Sequence, residues 1–215
     1  MSPRSERRFD VVLFDLLTAL LDSWTLWNIV AGSPEDGRKW RAAYLRRSYE
    51  TGAYRPYETL VAEAAVEVGL SATLAAQLAA RYGELEPWPE VPEVLGALRR
   101  EGVAVGVVTN CSEKLAAKAI ACTGIEFDVA VTAERAGRYK PDARPYEMVL
   151  DELGVAPSRC LFVAGSAYDL FGTSKVGLPT YWHDRICMTP PSNAPEPIAR
   201  HRSLYPLLEL VRAVK

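Results

Sequence analysis

The chain has 215 residues, 49% of them hydrophobic and 24% charged, with 25 basic against 27 acidic residues and a formal net charge of −2. This is ordinary soluble globular composition, which excludes disorder and membrane spanning, and the balanced charge argues against a nucleic-acid partner. The length accommodates one sizeable core and an inserted subdomain.

Met1 to Arg8 is basic and precedes an apolar stretch, but Asp10, Asp15 and Asp22 interrupt that stretch. Export signals tolerate such charges poorly, so the expectation is a cytoplasmic protein with a frayed start. Phe9–Phe14 then reads as a strand buried on both faces, and it ends on Asp15. From Ser23 to Glu90 no convincing strand occurs. Glu35–Glu50, Tyr57–Val68 and Ser71–Leu85 carry apolar residues at spacings of three and four, as helices do.

Pro87–Pro92 reads as the return into the core. Strand-like runs follow at Val103–Val108, Val129–Thr132, Cys160–Ala164 and Pro179–Trp182, alternating with helix-length segments at Ser112–Thr123, Ala143–Leu153 and Tyr168–Val176. This alternation predicts an α/β fold with a parallel sheet. Gly102, Gly124, Gly154 and Gly177 fit helix C-caps. Met188–Pro197 reads as a loop before a final helix at about Ser203–Val214. The expected division is a core of residues 1–22 and 91–215 with a helical cap of residues 23–90. Cys111, Cys122, Cys160 and Cys187 lack metal-ligand spacing and are expected to be reduced thiols, mostly buried.

Four polar stations stand at or after these strands: Asp15; Thr109-Asn110; Tyr139-Lys140-Pro141-Asp142; and Ala164-Gly165-Ser166-Ala167-Tyr168-Asp169. Open α/β sheets place their chemistry at the carboxyl ends of strands. Asp15 there is a candidate nucleophile, although an Asp also caps turns. Lys140 is a candidate cation holding Asp15 ionised. Asp169 either caps the following helix or orients water. Thr109 and Asn110 either finish a strand or bind a substrate carboxylate. Neither His183 nor His201 falls at a station.

In type and order the four stations resemble the haloacid dehalogenase superfamily, whose Rossmannoid sheet with an early cap insertion matches this organisation. Within it the chain resembles the L-2-haloacid dehalogenase branch. Tyr139-Lys140-Pro141-Asp142 with Tyr146 reproduces that branch's third station, and Trp40-Arg41 matches its cap arginine. The general acid of the phosphatases is replaced by Leu17, and a magnesium-binding Asp by Gly165. No metal and no other cofactor is therefore expected. Departures occur at Asp15-Leu16-Leu17-Thr18-Ala19-Leu20, where the branch has a Gly at 18 and a Thr at 19. Ala164 and Ser166 likewise replace its Ser and Asn.

The resemblance implies a hydrolase in which Asp15 attacks C2 of a small carboxylic acid and water near Asp169 cleaves the resulting ester. Thr109 is expected among the catalytic residues with Asp15, Lys140 and Asp169, and Thr18, Asn110, Tyr146, Ser166 and Tyr168 around the substrate. Arg41 lies in a basic run that otherwise reads as a solvated face. Trp24, Trp27 and Asn28 sit at helical spacing that means either packing or pocket lining. The leaving group is either a halide, facing Arg41, or the ring nitrogen of a strained imino acid such as L-azetidine-2-carboxylate. Azetidine-2-carboxylate hydrolases resemble the same branch, and the altered first loop tilts the reading toward ring opening, with aromatic faces for its ammonium. A phosphatase and a non-catalytic binding module are further alternatives. The expectation includes no nucleic acid, no membrane, and allows for a homodimer.

Overall fold

The computed structural model describes residues 7–212. The expectations for the first six residues and for a helix reaching Val214 lie outside these. Strand β1 (Val11–Phe14) is buried along its whole length and pairs in parallel with β2 (Ala104–Thr109) on one side and β4 (Cys160–Ala164) on the other. Outside β2 lies β3 (Val129–Thr132), and beyond β4 lie β5 (Thr180–His183) and β6 (Ala199–His201), all parallel.

Alternate residues of β1 feed two apolar layers, as the two-residue period of a strand requires. Val12 and Phe14 pack with α5 (Val91–Arg100), α6 (Glu113–Thr123) and α10 (Tyr205–Arg212). Val11 and Leu13 face α8 (Arg144–Leu153) and α9 (Asp169–Lys175). Gly106 pairs with Leu13, and a Cβ there would lie 2.8 Å from the Leu13 side chain and 2.5 Å from Val129, so this register needs glycine. A short helix, α7 (Ala133–Ala136), follows β3.

Between β1 and α5 the chain forms α1 (Ser23–Ala31), α2 (Pro34–Glu50), α3 (Tyr57–Glu67) and α4 (Thr73–Ala80). Asp22 caps α1 by accepting from the Thr25 amide. Ser33 caps α2, with Pro34 in its first turn and Glu35 and Asp36 complementing its dipole. The chain leaves and re-enters the sheet layer through two antiparallel segments, with Asp22 N donating to Glu86 O at 2.8 Å and Trp88 N to Leu20 O at 2.9 Å.

One predicted helix is divided and one strand is added. Ser71–Leu85 is α4 followed by a separate 3₁₀ turn at Arg81–Glu84, where Gly83 weakens helix continuation. Strand β6 was not expected, because its residues are half-buried or exposed and carry no apolar signal. All four cysteines are free, but only Cys111 and Cys160 are buried, with Cys122 intermediate and Cys187 exposed. No helix of the described residues is long and apolar enough to cross a membrane.

Candidate active site

Because β2, β1 and β4 are neighbours, their carboxyl ends bring Thr109, Asp15 and Ser166 to one small cavity of about 60 Å³, which Lys140 and Asp169 also line. The Lys140 ammonium lies 2.9 Å from Asp15 Oδ1 and 2.9 Å from Asp169 Oδ1, with side-chain exposures of 5%, 13% and 6% respectively. Burial alone pulls the Lys140 amine down, but the two carboxylates outweigh it and hold the group above its ordinary value. Burial dominates at Asp169 and raises its carboxyl, against the lowering influence of Lys140.

The second oxygen of Asp15 is fixed by the chain. Its Oδ2 accepts from Thr18 N at 3.1 Å and Ala19 N at 3.4 Å, a tight turn closing directly behind β1. Thr18 does not adopt the positive φ open to the glycine it replaces. Its hydroxyl instead accepts from the Arg41 guanidinium at 2.8 Å. Arg41 is buried, donates also to Ser23 Oγ at 2.6 Å, and stacks 4.2 Å over the Trp24 ring.

Of the residues expected at the site, Thr18, Arg41, Trp24, Thr109, Asn110, Ser166 and Tyr168 line the cavity. Asn110 is largely committed elsewhere, because Lys140 N donates to its Oδ1 at 2.7 Å and its Nδ2 donates to Lys140 O at 3.2 Å. It clamps the lysine loop and leaves one N–H for a ligand.

Three expected substrate contacts are corrected. Trp27 is buried in an aromatic stack, 4.6 Å from Trp40 and 5.6 Å from Tyr44, and does not line the cavity. Asn28 sits where α1 crosses α2; a Cβ at Gly37 would lie 2.6 Å from its Cα. Tyr146 is fully buried behind the site and donates to Asp169 Oδ1 at 3.0 Å, so it supports the carboxylate rather than the ligand.

Other lining residues were missed. Leu45 and Tyr49 continue the Arg41 face of α2 at steps of four, a signal present in the sequence, and Tyr44 joins them. Met188 reaches the cavity from the loop after β5, where no periodicity marks it. His183 is buried and its Nδ1 meets Ala19 O at 2.8 Å, bracing the same turn from behind.

The donor set does not fit magnesium. Position 17 is an apolar Leu, and a Cβ at Gly165 would lie 2.4 Å from Ala19 N and 2.8 Å from Asp15 Oδ2, leaving no room for a carboxylate. Among the described residues no group of three or more His, Cys, Asp or Glu is placed to hold a metal ion. A hard cation needs several oxygen ligands. Here the ammonium of Lys140 already occupies one oxygen of each carboxylate.

A family model described as haloacid dehalogenase-like hydrolase matches residues 10–176. The chain belongs to that family. It is 33% identical over 118 residues to an (S)-2-haloacid dehalogenase of Pseudomonas sp. strain YL, covering 54% of this chain and 51% of that protein. It is 26% identical over 190 residues to (S)-2-haloacid dehalogenase H-109 of Pseudomonas putida, covering 81% and 85%. The chain thus spans about half the length of the first curated relatives it matches. A crystal structure of a dehalogenase with an intermediate complex superposes with a TM-score of 0.85, at 26% identity over 97% of this chain and 100% of that one. This haloacid dehalogenase-like hydrolase therefore carries the family's sheet with four helices inserted after the first strand.

Proposed function

We propose that this hydrolase substitutes at C2 of a short 2-haloalkanoic acid, with α1–α4 acting as a cap over the carboxyl ends of the strands. Asp15 Oδ1 bonds to C2 as the carbon–halogen bond breaks and the halide takes the electron pair. Water then attacks Cγ of Asp15 and passes one proton to Asp169, whose burial-raised carboxyl suits a base. The Cγ–Oδ1 bond breaks, and the departing alkoxide takes the proton from Asp169 to give a 2-hydroxy acid. The re-formed Asp15 carboxyl releases the water's second proton. The observation that carries this reading is the Lys140 ammonium 2.9 Å from both carboxylates. It keeps an anionic nucleophile and a neighbouring base in one cavity.

Arg41 supports halide over ring nitrogen. Its guanidinium covers the Trp24 ring, one of the aromatic faces open to an ammonium, and a buried cation beside the cavity repels one. The cavity volume favours a short acid. A pair of chains is part of the same proposal. The test compares L-2-chloropropionate with L-azetidine-2-carboxylate in water enriched in oxygen-18. Chloride release, label entering Asp15 over repeated turnovers and an inert Asp15→Asn variant are expected. Ring opening without chloride release would transfer the reading to the imino acid; label in the product alone would eliminate the ester.

A further inference from the structure

Two residues outside the cavity lining stand directly behind the nucleophile. The peptide between Leu17 and Thr18 points its N–H at Asp15 Oδ2 and its carbonyl at the Ser23 hydroxyl, which donates to Leu17 O. Ser23 Oγ in turn accepts from Arg41. The next peptide, between Thr18 and Ala19, points its N–H at the same Oδ2, and its carbonyl accepts from Trp88 Nε1 at 2.9 Å. Both peptides that hold Oδ2 are thus hydrogen-bonded at their far ends by side chains. Ser23 is 1% exposed and Trp88 is half-buried under the Arg185 guanidinium, 5.0 Å from the ring. Neither is in a sequence motif.

A hydrogen bond to an amide carbonyl polarises that amide and strengthens the N–H at its other end, more so where water is scarce. The effect differs between the two chemical steps. During ester formation the charge leaves the Asp15 carboxylate, so donors on Oδ2 bring no advantage. During ester hydrolysis an oxyanion develops on Oδ2, because Oδ1 carries the substrate, and donors aimed there stabilise the transition state.

We infer that Ser23 and Trp88 are positioning residues that act through these two peptides to accelerate hydrolysis of the Asp15 ester. The inference rests on the ester reading above. Ser23→Ala and Trp88→Phe each remove one carbonyl donor and keep most of the volume, and Ser23→Thr restores the hydroxyl. The substrate is L-2-chloropropionate, and the readouts are steady-state kinetics and the fraction of protein carrying the ester by rapid quench and intact mass.

Each of the two variants should slow hydrolysis by about tenfold, below the hundredfold or more lost with a direct oxyanion donor. The ester fraction should then rise. Where hydrolysis limits turnover, Trp88→Phe, which leaves the Arg41 contacts in place, should lower kcat and KM together with kcat/KM unchanged, since kcat/KM reports only the steps up to ester formation, while Ser23→Ala also removes an acceptor of Arg41 and is read on its ester fraction. Ser23→Thr should return both readouts to wild type. A purely structural role would lower kcat/KM and leave the ester fraction flat, and that pattern, or unaltered kinetics, overturns the inference. Absence of any ester in the wild-type protein overturns the parent reading instead.

Discussion

Replacing Lys140 by Met keeps the length of the side chain and removes its charge from between two carboxylates. At an effective dielectric near 20, an ion pair at 4 Å is worth about 4 kcal/mol. The ammonium makes two contacts at 2.9 Å, offset by several kcal/mol for burying it. Removing one partner of such a buried group costs roughly 3–5 kcal/mol. For a protein of this size that lowers the melting temperature by about 6–20 °C.

The loss must depend on pH. The raised Lys140 value means that its stabilisation is complete below the ordinary amine range and is lost only as pH rises through the folded value, so neutral solution lies inside the window. Asp169 is raised by burial, so its ionisation at neutral pH is a cost that Lys140 offsets. Without Lys140 its carboxyl climbs further, and protonating it relieves the variant. Denaturant unfolding of wild type and Lys140→Met should therefore show a wide gap at neutral pH that narrows as the pH falls and Asp169 becomes protonated. A gap of constant width, or none, refutes the account of the three charges.

Tyr146→Phe removes a donor that lowers the Asp169 carboxyl, so the acid limb of the pH profile should move to higher pH, with activity down by about three- to tenfold; an unmoved limb contradicts a role through Asp169. Gly165→Ala should abolish activity in a folded protein, since its Cβ would lie 2.8 Å from Asp15 Oδ2, as chloride release and circular dichroism together will show. Activity should survive EDTA and gain nothing from magnesium, and loss on chelation with recovery on magnesium would mean that these donors do hold the ion. Arg41→Lys should cost about tenfold or more in kcat/KM, because one ammonium cannot serve Thr18, Ser23 and the Trp24 face together; an unimpaired variant argues against anion recognition there. Iodoacetamide at mildly alkaline pH should label Cys187 first, because Cys111 and Cys160 are buried with thiols pushed up to about 12.

What could be read from the sequence was whatever one local segment determines. Phe9–Asp15 announces a buried strand with a carboxylate at its end, and Lys140-Pro141 is a loop that the topology must return to that end. Helical spacing at Trp24, Trp27 and Asn28 shows that they share one side of α1, but it carries no information on depth. Trp24 consequently lines the cavity while Trp27 disappears beneath Trp40. Met188 and Trp88 are located by contacts from distant segments, a loop after β5 and the return from α4, and neither leaves a periodic trace. Position 19 carries no hydroxyl, and the hydroxyl of Thr18 bonds to Arg41 across 23 residues, a contact that only the folded chain displays.

That bond ties α2 to the turn carrying the two amides that donate to Asp15, and Ser23 ties the same guanidinium to the first residue of α1. Displacing the inserted helices would loosen Thr18 and the Leu17 carbonyl in the same movement. The turn that holds Oδ2 of Asp15 is therefore only as firm as the seating of α1 and α2 upon it.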